Sequence, residues 1–169
     1  MKVLLKKLDG RAVVPFKKHE SDFCYDMTAI SEEEVAPDVW CYGTGLSFEI
    51  QRGREYLCKK YSGGIYHGNF ANFISFGDSD MNLSIDIRAR SSIWKTGMVL
   101  CNSVGTVDED YRGEVKFYFY WVKKNLPRYK VGDRIGQMKI GSAFPIEFEE
   151  KDSLDDTERG VDGFGSTGT

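Results

Sequence analysis

The stretch GEVKFYFYWVKK, residues 113–124, narrows the choice of fold more than any other part of the chain. Val115, Phe117, Phe119 and Trp121 alternate with Lys116, Tyr118 and Tyr120. A period of two places successive side chains on opposite faces of a strand, and the β-branched and aromatic types suit that role. One apolar face of this size must be covered, so a sheet packed on a sheet, or a closed barrel, is expected. MVLCNSVGTV ahead of it is a second strand-like run, and the polar DEDYRGE between them predicts a turn. Together they read as a long β-hairpin. GLSFEI, LSIDI, RIGQMKI and FPIEFEE are further strand candidates, separated by Gly, Pro and Asp. The one expected helix is SEEEVAP: Ser31 and Glu34 make a capping-box pattern and Pro37 stops it. The expectation is a mainly-β sandwich or barrel with one short helix.

Bulk properties exclude several function classes. The 169 residues suit one domain with a substantial core. A net charge of −3 lacks the basic footprint that non-specific nucleic-acid binding needs. No apolar run approaches the roughly 20 residues of a membrane span, and MKVLLKKLDG is too short an apolar start for a signal peptide. A cytosolic protein is expected. Cys24, Cys41, Cys58 and Cys101 show no C-x-x-C spacing, so they read as reduced thiols rather than zinc ligands. His19 and His67 sit in no recognisable motif and read as surface residues. The lysine pairs Lys17-Lys18, Lys59-Lys60 and Lys123-Lys124 are scattered, as on solvated edges.

Between the strands lie five polar stretches whose letters do not serve folding: YDMTA at Asp26, RARSS at Arg90–Ser92, NSVGTVDEDYRGE around Asp108, GDRIGQ ending at Gln137, and the tail RGVDGFGSTGT. RARSS offers a guanidinium fork and two hydroxyls, a set that matches phosphate oxygens; it reads equally as a strand end whose serines cap a turn. Asn102 and Asp108 are six residues apart, an even spacing that places both on one face of a strand. An aspartate is ionised at neutral pH unless desolvated, and can take a proton from an attacking water. Tyr111 could pack under a sugar or be a plain core tyrosine. Asp26 has no partner in the local sequence. Gly163 to Gly168 satisfy G-x-G-x-x-G, but no helix follows to receive a pyrophosphate, so the dinucleotide reading fails.

In this order and with these letters, the five stretches resemble the five motifs of the trimeric dUTPase (deoxyuridine 5′-triphosphate nucleotidohydrolase) family. The likeness runs from about Asp26 to the last residue, and VGTVDEDYRGE and RGVDGFGSTG are close matches. It implies an all-β, distorted jelly-roll barrel (a β-clip) over residues 1–155, with a flexible glycine-rich lid over 156–169. The family usually joins GLSFEIQRG to RARSS by a shorter link, so about 54–85 reads as an insertion forming a hairpin or flap.

The activity implied is hydrolysis of dUTP to dUMP and pyrophosphate, which keeps uracil out of DNA and supplies dUMP for thymidylate synthesis. By the same resemblance, Asp108 is the general base. Arg90, Ser91, Ser92, Gln137, Arg159, Ser166 and Thr167 meet phosphates. Asn102, Gly105, Val107, Tyr111 and Phe164 enclose uracil and deoxyribose, with Tyr111 leaving no room for a 2′-hydroxyl. Asp26 touches waters of a Mg2+ carried on the triphosphate, although Phe-Cys-Tyr precedes it where the family has Ala-Gly-hydrophobic. The partners implied are dUTP and two further copies of the chain, as a homotrimer with shared active sites, with no nucleic acid and no membrane. The place implied is the cytoplasm, or the host cytoplasm if the protein is viral. Two alternatives are a dCTP deaminase of the same fold and a non-catalytic binding protein on the same shell. The deaminases carry a glutamate in the strand after the hairpin, where VKFYFYWV has no acid. The binding protein would lose Asp108, Tyr111 or the tail, and all are present.

Overall fold

The computed structural model describes residues 1–51 and 81–161. Among these described residues ten strands follow in chain order: β1 Lys2–Lys7, β2 Tyr25–Thr28, β3 Ser31–Ala36, β4 Val39–Gly43, β5 Leu46–Gln51, β6 Asn82–Arg88, β7 Met98–Leu100, β8 Val104–Asp108, β9 Lys116–Trp121 and β10 Arg134–Ala143. One 3-10 turn, Ser91–Lys95, is the only helical element among the described residues. The fold is all-β, as expected. No helix among the described residues is long and apolar enough to cross a membrane.

The strands form two four-stranded sheets, ordered β2-β10-β6-β8 and β3-β4-β9-β7, and a two-stranded pair β1-β5. The alternation in residues 115–121 does what its period requires: Val115, Phe117 and Phe119 are buried while Lys116, Tyr118 and Tyr120 face out. Phe117, Phe119, Tyr42, Met27, Leu46 and Ile135 are fully buried at the centre of the core. Each contributes roughly 1.5–3 kcal/mol by leaving water. Tyr42 meets Phe119 edge-on at 5.9 Å between ring centroids, and its hydroxyl donates to the Tyr129 carbonyl at 2.9 Å. The phenol is thus buried with its polar end satisfied.

Three local expectations are overturned. SEEEVAP is not a helix. It is β3, paired in antiparallel register with β4 from Ser31↔Gly43 to Ala36↔Val39. Pro37 and Asp38 make the two-residue turn, Asp38 at a left-handed φ of 66°. Glu34 accepts from the Asp38 N–H at 3.0 Å, so the acid closes a hairpin turn instead of a helix.

The long hairpin of MVLCNSVGTV with GEVKFYFYWVKK does not form either. The first run breaks at Cys101–Ser103; β7 pairs with β9, whereas β8 crosses to the other sheet and pairs with β6. FPIEFEE, residues 144–150, makes no strand and leaves Phe144, Ile146 and Phe148 exposed. An alternating pattern needs a neighbouring strand to pair with, and the described residues of this chain provide none there.

Candidate active site

The sheet β2-β10-β6-β8 carries the polar stretches. β10 lies between β2 and β6, with Gln137 opposite Asp26 on one side and Arg88 on the other. Arg90 follows β6 by two residues and turns back over this row. Its Nε donates to Asp26 Oδ1 at 2.9 Å and its Nη2 to Asp26 Oδ2 at 3.2 Å. Arg134 Nη1 donates to the same Oδ2 at 3.0 Å. Asp26 therefore has two cationic partners, both far away in sequence. Gln137 donates its amide to the Ala89 carbonyl at 3.0 Å, which fixes the approach to Arg90.

These residues line a cleft of about 600 Å³ with Ser91, Lys17 and Lys18. Phe16 and Asp26 exchange backbone hydrogen bonds in an isolated bridge, and this closes the loop that carries both lysines against the cleft. The cations outnumber the acids in the lining, so the cleft suits an anion. Ser92 is half-buried beside it, its hydroxyl accepting from Arg90 Nη1 at 3.4 Å.

A second cleft of about 260 Å³ lies at the other edge of the sheet, on β8 and the turn that follows. Asn102, Gly105, Val107, Asp108 and Tyr111 all line it. Asn102 is in the turn before β8 rather than on the strand, which corrects the expectation that it shares a strand face with Asp108. The two still meet at one cleft. Gly105 is buried at its base, where a Cβ would stand 2.6 Å from both Asn102 Nδ2 and Ile87 Cγ1. Only glycine leaves the asparagine amide and the strand backbone facing the same space.

Asp108 ends β8 with an exposed side chain, and its carbonyl accepts from the Tyr111 N–H at 3.1 Å. That turn swings the Tyr111 ring over Gly113, and the Tyr111 hydroxyl donates to the Glu114 carbonyl at 3.3 Å. Tyr111 is about half exposed, so it is not a core tyrosine. Lys116 pairs with Glu114 at 3.5 Å, and the carboxylate lifts the lysine above its ordinary range.

The two clefts share no lining residue. β2 and β8 are the outer strands of the sheet, three strand spacings apart, or about 14 Å. Arg159 lies in an exposed stretch near the end of the described residues. Phe164, Ser166 and Thr167, and with them the expected lid from residue 162 on, lie outside the described residues. So does most of the expected insertion; its last part, from Asn82, is the core strand β6.

A family model described as dUTPase matches residues 78–168. The deoxyuridine 5′-triphosphate nucleotidohydrolase of Nautilia profundicola is 32% identical over 99% of this chain and 99% of its own. That of Trichodesmium erythraeum is 32% identical over the whole of both chains. The chain belongs to the dUTPase family. Among solved structures, the Staphylococcus bacteriophage 80alpha dUTPase with dUPNHPP superposes with a TM-score of 0.71 over 99% of each chain, at 19% identity. That likeness supports the fold, and the jelly-roll architecture of the family is the one seen here.

Within the dUTPase family frame, Asp26, Arg90, Ser91 and Gln137 line the first cleft, Asn102, Gly105, Val107, Asp108 and Tyr111 the second, and Ser92 and Arg159 neither. Missed from the sequence were Arg134, Lys17 and Lys18 in the first cleft, and Glu114, Lys116 and Tyr118 in the second. Lys17-Lys18 carried a signal only in its place directly after Phe16, which a β-bridge sets beside Asp26. No three His, Cys, Asp or Glu come together as a metal-holding set among the described residues. Asp26 already takes three guanidinium hydrogen bonds. It fits contact with the waters of a hydrated cation rather than the inner sphere of a protein-held metal.

Proposed function

We propose that this chain hydrolyses dUTP to dUMP and pyrophosphate, so limiting uracil in DNA and supplying dUMP. The observation that carries the reading is the gathering of Asp108, Asn102, Gly105, Val107 and Tyr111 at one cleft suited to a nucleoside. The cationic cleft of Arg90, Ser91 and Gln137, suited to phosphates, supports it. Full-length likeness to proteins named deoxyuridine 5′-triphosphate nucleotidohydrolase supports it too.

In this reading the Asn102 amide and the backbone about Gly105 hydrogen-bond the uracil edge. Val107 packs on the base, and the Tyr111 ring lies under the deoxyribose where a 2′-hydroxyl would collide. Asp108 takes the proton of a water as that water attacks the α-phosphorus and the bond to the β-phosphate bridge breaks. Arg90, Ser91 and Ser92 hold the α- and β-phosphates and stabilise charge on the departing pyrophosphate. Gln137 orients the α-phosphate or the water.

Magnesium, when carried in on the triphosphate, neutralises part of its charge, and Asp26 meets its water shell. Arg159, with Ser166, Thr167 and Phe164, closes over the bound nucleotide. The separation of the two clefts supports sites shared between subunits, one chain giving the nucleoside cleft and its neighbour the phosphate cleft, in a homotrimer. Exposed Phe144, Ile146 and Phe148 are apolar surface that such an assembly would cover.

The test is pyrophosphate release, with magnesium, from dUTP, dCTP, dTTP and UTP, with Asp108→Ala as the blank. Release from dUTP alone, abolished in the blank, is expected. Ammonia release from dCTP would make the chain a deaminase, and binding without turnover would make it a binding protein.

A further inference from the structure

Thr44 and Ser47 line neither cleft, yet they hold the loop on which the second cleft depends. The Thr44 hydroxyl donates to the Val115 carbonyl at 2.7 Å, and the Ser47 hydroxyl donates to the Arg112 carbonyl at 2.7 Å. Between them the Gly45 N–H donates to Glu114 Oε1 at 2.7 Å, and the Leu46 carbonyl accepts from the Val115 N–H at 2.9 Å. Four consecutive residues, 44–47, therefore grip the segment 112–115 through Arg112, Glu114 and Val115. Both hydroxyl-bearing side chains are buried, Thr44 wholly and Ser47 to 5% exposure. Thr44 Oγ1 also accepts from the Leu46 N–H at 3.3 Å, so its hydroxyl works in both directions.

The gripped segment starts one residue after Tyr111, whose ring rests on Gly113 and whose hydroxyl is bonded to the Glu114 carbonyl. Asp108, Asp110 and Tyr111 of the turn are exposed, and Arg112 Nη1 donates back to the carbonyls of Glu109 and Tyr111 at 2.8 and 3.2 Å. A turn bonded to itself moves as a unit unless something outside anchors it. Its first half is tied to β6, where the Leu83 N–H donates to Glu109 Oε2 at 3.3 Å; the segment that carries the Tyr111 hydroxyl's acceptor is anchored by residues 44–47.

We propose that Thr44 and Ser47 are positioning residues for sugar selection, acting through Arg112–Val115 on the place of the Tyr111 ring. The inference rests on the nucleotide reading above. Deoxyribose and ribose differ by one oxygen atom. An aromatic ring rejects that oxygen by lack of room only if it is held to within a fraction of an ångström. A buried hydroxyl-to-carbonyl bond supplies such constraint at small cost, and its loss strands a buried carbonyl.

The experiment measures kcat/KM for dUTP and for UTP on the full chain, for wild type, Ser47→Ala, Thr44→Val and the hydroxyl-keeping Thr44→Ser. The ratio of the two constants is expected to fall about tenfold in Ser47→Ala and Thr44→Val, and to be kept in Thr44→Ser. Melting temperature is recorded beside it, because a purely structural role lowers melting and leaves the ratio alone. An unchanged ratio in both variants overturns the proposal. Backbone amide exchange at Tyr111 and Val115 reads the grip without turnover. Faster exchange in Ser47→Ala supports it, and unchanged exchange overturns it. A wild-type chain that releases no pyrophosphate from dUTP overturns the nucleotide reading instead, and the amide exchange then decides whether the grip itself is real.

Discussion

Arg90 and Asp26, 64 residues apart in sequence, are joined by two hydrogen bonds of 2.9 and 3.2 Å along the edge of the guanidinium. The arginine expected to meet phosphate is thus already oriented, and charge-balanced, by the carboxylate expected to face magnesium. Arg134 shares Oδ2 of the same carboxylate with Arg90 Nη2. In the proposed reaction, phosphate oxygens would take the place of Asp26 on the guanidinium, and the waters of a cation carried on the triphosphate would donate to the carboxylate.

Asp26→Asn keeps the size of the side chain and removes its charge. The magnesium concentration giving half-maximal dUTP turnover is expected to rise about tenfold, since a hydrated cation loses a full counter-charge at short range. A magnesium titration of initial rates measures it, and an unchanged requirement removes Asp26 from the metal's surroundings.

Asp108→Asn leaves the turn bond from Tyr111 in place, because that bond uses the backbone carbonyl. Its effect therefore belongs to chemistry. Turnover is expected to fall by about 10²–10⁴, the usual range for a lost general base, with little change in KM. A rise in KM with normal turnover would assign Asp108 to binding instead.

Gly105→Ala places a methyl group where Asn102 and Ile87 already stand. Overpacking of this kind costs about 1–3 kcal/mol, and it also fills the floor of the nucleoside cleft. Both a lower melting temperature and a KM for dUTP raised at least about tenfold are expected. A stable variant with wild-type KM would place the base elsewhere.

Asp86 illustrates the pH dependence of the sheet. Desolvation pushes its carboxyl up, but hydrogen bonds from Lys139 and Ser84 and the charges of Lys139 and Arg88 outweigh this and hold it below the ordinary carboxylate range. Lys139 Nζ is 2.9 Å away and Ser84 Oγ 3.0 Å. A carboxylate lowered in the folded state contributes stability above its unfolded value of about 3.9 and loses it as pH falls further. Acid unfolding of wild type and Asp86→Asn should therefore differ at neutral pH and converge below about pH 4. Curves that stay parallel into strong acid would show that the carboxylate contributes nothing.

Ile146→Asp with Phe148→Asp puts two charges on exposed apolar positions outside the sheets. Sedimentation should show wild type as a trimer and the double variant as a smaller species without dUTP turnover. A trimeric, active double variant would place the subunit interface elsewhere.

The sequence was most legible where one physical demand acted alone. Residues 115–121 alternate because one face is buried and the other wet, and the structure follows that pattern residue by residue. It was least legible where two demands share one signature. Ser31 and Glu34 fit a helix cap, yet Glu34 serves equally well to close the hairpin turn at Asp38, and strand pairing with β4 decides between them. MVLCNSVGTV reads as one strand because nothing local says that its two halves join different sheets.

Of the candidate site, the motifs named Arg90, Asn102, Asp108, Tyr111 and Gln137, which the fold gathers at two clefts. Contacts made only by folding were hidden. The pairing of Asp26 with two distant arginines and the grip of Thr44 and Ser47 on residues 112–115 have no local signal.

The two clefts with no residue in common have a genetic consequence. If each working site borrows one cleft from each of two chains, lesions in different clefts are carried by different contributors to it. A chain crippled at Asp108 and a chain crippled at Arg90, each inert alone, would then rescue one another when assembled together, because some junctions would unite the sound half of each. Two lesions in the same cleft would not. The allele pairs of this protein would sort into two complementation groups, one for each cleft.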